Sequence, residues 1–494
     1  MWINLFFLIL LIFVLVRSLL WLTRLQQKEY RWDRLWHYLK TEDGRKDLLK
    51  IFPSSKDFLR TGLVRPKITA RMLVVVLLYV ALLSWLVFTF FELEGWFVLF
   101  VYLTILFFVP LIILIVSIPT AVIFEWQVWL KMKKAQKQII THKPKIIGIT
   151  GSYGKTSTKI ILKHVLSQKY SVYATQRSFN TRYSLARDIV YRYQGQEIVI
   201  IEYAAYKPGE IKWLAQRIQP HWAVITGLVE QHLAIFGSVK NIIKAKAELI
   251  ESLKPDGLVF VNAKDPRSNM IVEYARQKIF LSDKQIIPYG GVQSQIELSQ
   301  QQLTNDGHLS FVLNDTKVVT KLVGYRYSTI IQAGIAVARE LGLTWQQIIE
   351  GLQTFEPPLF FVQLFQHNQK FWLLDDGRTT NPMAFFDVID LAQEIIDKKK
   401  IKGRKILITS GIIDLGEETN KIHLKLAKKA KAIFTDVVYT GNPGKRQFVK
   451  IFGHKVISEK NDIEQLLLSL GSQDFVAVEG WVPLWLQHQL ITQQ

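Results

Sequence analysis

The chain has 494 residues, enough for two or three domains, and its formal net charge is +21. It contains no cysteine, which excludes disulfide bonds, thiolate-bound zinc and a cysteine nucleophile. Much of the positive charge lies beside apolar runs, in segments such as RWDRLWHYLK and KMKKAQKQIITHKPK. Basic residues beside membrane spans mark the cytoplasmic face and attract anionic lipid headgroups. The charge therefore favours a membrane surface over nucleic acid as a partner.

Three apolar runs near the start of the chain are long enough to cross a bilayer, at about residues 1–22, 72–92 and 96–124. The first could be a cleaved signal peptide. However, it is too long, no basic segment precedes it, and no small-residue cleavage site follows it. We therefore predict a retained span, with the Arg17 side chain near its end extending toward the headgroups.

The second and third runs predict a helical hairpin around the acidic turn ELEG. Pro110 and Pro119 are expected to kink or tilt the second arm. Lys and Arg are frequent in the loop 23–71 and after residue 124 but absent from ELEG, so the positive-inside rule places the loop and all later residues in the cytoplasm. The runs contain no pair of charges of the kind that marks an ion pathway. Residues 1–130 are thus predicted to be a multi-pass anchor in the inner (cytoplasmic) membrane.

After about residue 145, short β-branched runs alternate with amphipathic stretches, which predicts an α/β body with a largely parallel sheet. The first strands would be KIIGIT, EIVIIEY, WAVITGL and GLVFVNA. Alternating residues around Asp306-Gly307 predict a local antiparallel insert. A second α/β rhythm begins after Tyr325. We therefore place one cytoplasmic domain at residues 140–325 and another at residues 326–494.

The segment GITGSYGKTSTK has the composition of a phosphate-binding loop. Gly151 and Gly154 let backbone N–H groups approach phosphate oxygens, and the helix that follows adds its positive N-terminus. Lys155 can reach the β- and γ-phosphates of a nucleotide, and the Thr156 hydroxyl can bind Mg²⁺. Ile149 stands where the full motif has a glycine, so the pattern is GxxGK[ST]. A glycine turn that only caps a helix is the alternative, and the lysine and threonine argue against it.

Three later residues could complete a site beside this loop. Glu202 ends the strand EIVIIEY and His232 follows the strand WAVITGL, so both belong at the carboxyl edge of the sheet, where the loop also lies. Lys246 lies on an amphipathic helix, where a lysine is ordinarily a solvated surface residue. Each of the three therefore also has an ordinary structural explanation.

Taken in order, these motifs resemble those of the Mur ligases of peptidoglycan synthesis, especially the ligases that add D-alanyl-D-alanine. The matching segments are TGSYGKTS, IEYA, EQHLAIFGS, KAKAELIESLKPDGLVFVNAKDP, DDGRTTNP and DLGEE, between residue 146 and about residue 425. The resemblance implies that the transmembrane helices are followed by a P-loop Mur-ligase central domain and a Rossmann-like C-terminal domain.

The resemblance also implies an ATP-dependent carboxylate–amine ligase that works through an acyl phosphate. Thr156 and Glu202 would hold one Mg²⁺ and His232 a second. Lys246 matches the lysine that Mur ligases carbamylate, which would make it a metal ligand too, and Lys155, His232 and Lys246 would be the catalytic residues. The cofactor-binding residues would be Gly151, Ser152, Gly154, Lys155, Thr156, Ser157, Asn180, Asn262, Asp265, Asp376 and Asn381.

The chain departs from the family pattern in several places. The predicted anchor stands where the family has its UDP-sugar domain. A glycine–arginine pair appears here as Phe360-Phe361, a late lysine as Glu479, and a histidine near the domain junction as Arg326. The half that binds ATP is thus preserved, while the half that presents the amine has changed. Either the ligase has different partners, which we favour, or its second substrate has changed or been lost.

We predict a membrane-anchored amide ligase that acts on a cell-envelope precursor or polymer, with a lipid-linked carboxylate as one candidate. A synthase of the poly-γ-glutamate type is a second enzyme hypothesis, although its loop usually differs. A non-catalytic, nucleotide-binding membrane scaffold is the third, motivated by the altered C-terminal half. A transport ATPase is less favoured because the sequence has neither a polar membrane pathway nor the ABC signature.

Overall fold

The computed structural model describes residues 2–491 except 41, 53–64, 90–95, 177–178, 230–235, 292–293, 295, 369, 378–380 and 414. The chain divides into two compact units, Met1–Lys131 and Met132–Gln494. The division falls at the predicted end of the anchor. The predicted boundary near residue 325 lies inside the second unit and stays a prediction.

The first unit is helical. Its helices are α1 (Trp2–Gln27), α2 (Trp32–Lys40), α3 (Glu42–Leu49), α4 (Ala70–Thr89) and most of α5 (Trp96–His142). Helix α5 continues through Pro110 and Pro119. By length and composition, Leu8–Gln27 and Phe97–His142 could cross a membrane, whereas the apolar stretch Ala70–Leu86 is shorter. The ELEG turn lies outside the described residues, and three membrane spans remain a prediction.

The first unit has a hydrophobic core, which includes Trp21 and Val109, and it also exposes many large apolar side chains. The Ser18 and Tyr79 hydroxyls share a buried 2.7 Å hydrogen bond between α1 and α4. Large apolar side chains are exposed along α4 and α5, among them Leu77, Phe100, Leu111, Ile118 and Val122. Exposed apolar surface of this extent is unusual in a water-soluble bundle.

The prediction that Arg17 extends outward was wrong. Arg17 is buried, and its guanidinium donates to the carbonyl oxygens of Leu48, at 3.1 Å, and of Lys50. These carbonyls lie at the end of α3, where backbone acceptors have no partner within the helix. Arg17 therefore fixes α3 against α1.

The second unit contains the predicted parallel sheet, which has six strands. Its strands are β1 (Lys145–Thr150), β2 (Val172–Ala174), β3 (Ile198–Glu202), β4 (Trp222–Ile225), β5 (Leu258–Asn262) and β6 (Ile286–Tyr289), in the order β2-β3-β1-β4-β5-β6. The connecting helices include α6 (Lys155–Leu166), α7 (Arg182–Arg192), α8 (Glu210–Ala215), α9 (Val239–Glu251) and α10 (Pro266–Arg276). Because β1 pairs with β3 on one side and β4 on the other, the order reverses at β1. Ligands of open α/β sheets bind at such a reversal, beyond the carboxyl ends of the strands.

The antiparallel insert is confirmed. Strands β7 (Ser299–Leu303), β8 (His308–Leu313) and β9 (Thr316–Val323) form a separate three-stranded sheet. The turn between β7 and β8 contains Gly307, whose φ of +74° favours glycine.

A second six-stranded sheet follows. Its strands are β10 (Gln363–His367), β11 (Phe371–Asp376), β12 (Lys405–Thr409), β13 (Asp436–Tyr439), β14 (Val456–Ile457) and β15 (Phe475–Glu479), in the order β10-β11-β15-β12-β13-β14. Strand β10 is antiparallel and the others are parallel. The helices of this region are α11 (Tyr327–Glu340), α12 (Trp345–Gln353), α13 (Pro382–Lys399), α14 (Thr419–Lys431), α15 (Lys445–Phe452), α16 (Lys460–Leu468) and α17 (Leu484–Ile491). One hydrophobic core contains residues of both six-stranded sheets, including Ile147, Phe260, Leu374 and Phe475.

Candidate active site

The predicted phosphate loop joins β1 to α6 at the point where the strand order reverses. Gly151 and Gly154 have φ of +152° and +73°, which glycine adopts at little cost. The loop is fixed by Ser152, whose N–H donates to the Gly227 carbonyl at 2.8 Å and whose hydroxyl donates to the Val229 carbonyl at 3.1 Å. Since α6 begins at Lys155, its N-terminal N–H groups lie beside the loop, as an anion site requires.

A cavity of about 300 Å³ opens beside this loop. The predicted site residues that line it are Gly151, Ser152, Gly154, Lys155, Thr156, Ser157, Asn180, Glu202 and Lys246. The structure thus brings together residues that lie far apart in the sequence.

Glu202 ends β3 beneath the loop, and its side chain is almost fully buried. One carboxylate oxygen accepts a hydrogen bond from the Thr156 hydroxyl at 3.2 Å. The other lies 2.7 Å from Nζ of Lys159, which is equally buried and also donates to the Thr175 hydroxyl at 3.3 Å. Sequence reasoning missed Lys159. The available signal was its position three residues after Thr156, on the same side of a helix.

Two lysines, Lys155 and Lys246, line the cavity. Nζ of Lys155 donates to the carbonyls of Gly151, at 2.7 Å, and Ser152, at 3.3 Å. Lys246 is buried on α9, and this burial, with the nearby positive charge of Lys155, lowers its pKa well below the usual value. Burial also lowers the pKa of Lys155, although Glu202 opposes the shift. The Lys246 side chain therefore favours the neutral amine.

Asn262 and Asp265 make structural contacts near the loop. The Asn262 amide donates to the Thr226 carbonyl at 2.8 Å. Asp265 accepts hydrogen bonds from the Leu228 N–H at 2.7 Å and from the Tyr153 hydroxyl at 3.4 Å. These contacts connect the end of β5 to the phosphate loop. Nucleotide binding by Asn262 and Asp265 stays a prediction.

Gly227 lies against the Tyr153 ring and allows Tyr153 to approach Asp265. A Cβ atom at position 227 would overlap that ring, and the φ of Gly227 is +146°, which favours glycine. We expect Gly227→Ala to displace Tyr153, lower stability by about 1–3 kcal/mol and weaken nucleotide binding. Gly209→Ala is the matched control, since Gly209 also has positive φ (+95°) but open space around it. Thermal unfolding and ADP titration check this, and equal effects of the two variants would contradict it.

Two positions at which the chain departs from the family pattern meet around Asp376. Arg326 donates to the Asp376 carboxylate at 2.7 Å and to the Ala384 carbonyl at 3.2 Å. Glu479 is the register partner of Asp376 on the neighbouring strand β15. The two substitutions thus form one cluster at the carboxyl edge of the second sheet.

Glu479 is fully buried in this cluster. It accepts a hydrogen bond from the Thr409 hydroxyl at 3.2 Å, while its other oxygen has no hydrogen-bond partner in the part of the chain that the structure describes. Burial, and secondly the charge of Asp376, raise the Glu479 pKa well above its usual value, although Thr409 and Arg326 oppose this. The carboxyl group therefore keeps its proton to a higher pH than an exposed glutamate does.

We expect Glu479→Gln to become more stable relative to the native chain as pH rises. A raised folded-state pKa gives stability that is complete below the unfolded pKa of about 4.3 and is lost as pH rises toward the folded pKa. Glutamine does not ionise, so it avoids this loss. Thermal unfolding between pH 5 and about pH 8 measures the difference, with the exposed Glu459→Gln as control. A difference that does not change with pH would contradict the assignment.

Other predicted residues of the region after residue 325 make contacts that stabilise the fold. The Asn381 side chain caps α13 by accepting from the Ala384 N–H at 2.9 Å. Phe361 is buried, and its ring stacks on Tyr327 with centroids 5.3 Å apart. His232, residues 378–380 of DDGRTTNP and Asp414 of DLGEE lie outside the described residues.

The Thr156 hydroxyl and the Glu202 carboxylate are hard oxygen donors of the kind that Mg²⁺ prefers, and both line the cavity. They fit one Mg²⁺. Within the described ranges no group of three or more His, Asp or Glu side chains could hold a further metal ion.

A glycine-rich loop at the reversal of a parallel sheet, with a lysine and a threonine–carboxylate pair beside a cavity, defines a P-loop α/β protein. Residues 149–326 match the family model described as the Mur ligase middle domain, and the chain therefore contains a region homologous to the Mur ligases. The predicted resemblance is thereby confirmed, together with the α/β Mur ligase fold.

Individual similar proteins show which Mur ligases the chain resembles. The chain is 28% identical over 294 residues to the UDP-N-acetylmuramoyl-tripeptide–D-alanyl-D-alanine ligase of Synechocystis sp., covering 60% of this chain and 61% of that one. It is 24% identical over 298 residues to the Bacillus subtilis ligase of the same name, with coverages of 60% and 62%. The MurF ligase of Thermotoga maritima in complex with ADP is 25% identical, with a TM-score of 0.61 and coverages of 72% and 80%. The chain thus spans about three fifths of the length of the Synechocystis and Bacillus ligases.

Proposed function

We propose that this chain is an ATP-dependent ligase that joins a carboxylate to an amine through an acyl phosphate. The observation that carries the proposal is the convergence of Lys155, the Thr156–Glu202 pair and Lys246 on one cavity. This arrangement offers a cation for phosphate oxygens, a pair of oxygen ligands for Mg²⁺ and a neutral buried amine. A P-loop that only capped a helix would need none of the three.

Each residue has a defined task in this proposal. Lys155 leaves the Gly151 and Ser152 carbonyls to contact the β- and γ-phosphates, while Thr156 and Glu202 hold Mg²⁺. When bound, Mg²⁺ neutralises phosphate charge as the carboxylate approaches. Asn180 lines the same cavity and contacts phosphate or substrate.

Lys246 is proposed to react with CO₂. The neutral amine attacks the carbon of CO₂, an N–C bond forms and one proton is released, which leaves an anionic carbamate. The product supplies oxygen ligands where the unmodified side chain supplies none. His232 is the proposed ligand of a second Mg²⁺.

The C-terminal half is proposed to be a Rossmann-like domain that presents the amine. Asn262, Asp265, Asp376 and Asn381 are proposed to contact the nucleotide once both halves enclose it. The Synechocystis and Bacillus relatives are UDP-N-acetylmuramoyl-tripeptide–D-alanyl-D-alanine ligases, and this similarity supports a cell-envelope carboxylate as substrate. A lipid-linked carboxylate suits a membrane-anchored enzyme best.

We propose that the first unit anchors the enzyme in the cytoplasmic membrane, with the second unit in the cytoplasm. Exposed apolar side chains on α4 and α5, and the buried Ser18–Tyr79 hydrogen bond, support this. The anchor would hold the active site close to a membrane-bound substrate.

The decisive experiment measures phosphate release by the full chain in detergent with Mg²⁺, ATP and panels of acids and amines. Release should require one acid and one amine together, and Lys155→Ala should reduce it at least about a hundredfold because the phosphate charge loses its counter-ion. Absence of any ATP binding would overturn the proposal.

A scaffold that binds nucleotide without turnover is the second candidate, favoured by the Arg326–Asp376–Glu479 cluster. Saturable ATP binding without phosphate release across the whole panel would select it. A poly-γ-glutamate-type synthase would instead give products of increasing mass.

A further inference from the structure

Helix α2 carries two tryptophans on one exposed face. The Trp32 and Trp36 rings lie one helical turn apart and stack, with centroids 6.3 Å apart and an interplanar angle of 14°. They are 59% and 50% exposed, whereas Leu35 on the adjacent side is buried in the core of the first unit. An exposed pair of the largest side chains is unusual on a surface that only contacts water.

The face is held in a fixed orientation. The Arg24 guanidinium pairs with the Asp47 carboxylate at 2.7 Å, and the Tyr38 hydroxyl donates to the same carboxylate. Because Tyr38 is on α2 and Asp47 on α3, this contact binds both short helices to α1. Arg17 also fixes the end of α3 through its bonds to the Leu48 and Lys50 carbonyls. The tryptophan pair is therefore part of a folded structure.

The surroundings of the pair are basic. Nζ of Lys40 lies 5.6 Å from the centroid of the Trp36 ring. Across residues 23–71 the sequence has thirteen Lys and Arg against six Asp and Glu. Tryptophans next to lysines and arginines are typical of helices at the boundary between headgroups and acyl chains, because the amphipathic ring and the cationic groups both interact favourably there.

We propose that α2 lies in the plane of the membrane interface, with Trp32 and Trp36 inserted among the headgroups and the basic residues bound to anionic phospholipid. The inference rests on the proposed membrane anchoring and extends it from spanning helices to a lipid-specific contact. A bilayer of neutral lipid would be enough for insertion of the two tryptophans. The excess of Lys and Arg over Asp and Glu in residues 23–71 favours anionic lipid instead. A protein partner is the competing occupant.

The absence of cysteine permits a direct test with single spin labels on the full chain. Trp36→Cys reports on α2, Leu111→Cys on the exposed face of α5, and Lys425→Cys on the exposed face of α14. Each variant is labelled and reconstituted in vesicles of phosphatidylcholine alone or with phosphatidylglycerol. Accessibility to oxygen and to a water-soluble nickel complex then gives the depth of each label.

We expect the Trp36 label to lose nickel accessibility relative to Lys425, to lie shallower than Leu111, and to move deeper when phosphatidylglycerol is present. A Trp36 label as accessible to nickel as Lys425 in both lipids would overturn the inference while leaving the anchoring intact. Protection from both reagents would indicate a protein contact and also overturn it. A Leu111 label in water would overturn the anchoring itself. Trp32→Cys repeats the measurement from an independent position.

Discussion

Replacement of Lys246 by arginine is expected to reduce phosphate release at least about a hundredfold, while ADP binding remains. The Lys246 pKa is lowered well below its usual value by burial and by Lys155, which favours the neutral amine that can react with CO₂. The arginine guanidinium stays protonated and forms no carbamate. It would place a permanent cation where the proposed metal needs an anion.

The matched control is Lys244→Arg, because Lys244 is exposed on the same helix and should tolerate the change. The chemistry itself can be followed separately. Buffer depleted of CO₂ should lower the activity of the native chain, bicarbonate should restore it, and ¹³C-bicarbonate should give a carbamate signal that Lys246→Arg lacks. Full activity of Lys246→Arg, or no response to CO₂, would contradict the modification.

The phosphate loop could be predicted from the sequence because its determinants are local. A β-branched strand is followed, within a dozen residues, by glycines that need positive φ, a lysine and a threonine. In this order the glycines admit phosphate, the lysine contacts it and the threonine binds Mg²⁺. The parallel sheet was predictable for a similar reason, since alternating runs of strand and helix permit few topologies. Glu202 could be assigned to the same edge because strand ends converge there.

Other features depend on contacts between distant residues, which no local pattern specifies. Arg17 lies near the end of an apolar run and was expected to extend toward the headgroups, yet it is buried and donates to carbonyl oxygens at the end of α3. Arg326 and Glu479 appear in the sequence as two unrelated departures, and only strand register places Glu479 beside the Asp376 that Arg326 contacts. Lys159 would pass for an ordinary helix lysine until β3 brings Glu202 against it.

Lys159→Met should destabilise the second unit strongly, by about 3–5 kcal/mol. Its Nζ lies 2.7 Å from a Glu202 oxygen, and both side chains are only 1% exposed. Removal of the ammonium leaves an almost fully buried carboxylate without its closest cation, and the cost of that uncompensated charge exceeds the loss of one contact. Lys163→Met, one turn later and exposed, should change stability by no more than about 0.5 kcal/mol.

A double-mutant comparison separates this electrostatic effect from lost packing. If the uncompensated charge of Glu202 dominates, Lys159→Met combined with Glu202→Gln should be more stable than Lys159→Met alone, because the second change removes the uncompensated carboxylate.

Thermal unfolding of the full chain in detergent measures stability, and titration with ADP at several Mg²⁺ concentrations measures nucleotide and metal binding at the cavity. Lys159→Met should alter the Mg²⁺ dependence, since Lys159 holds the carboxylate that receives the ion, whereas a purely structural role would lower stability and leave that dependence unchanged.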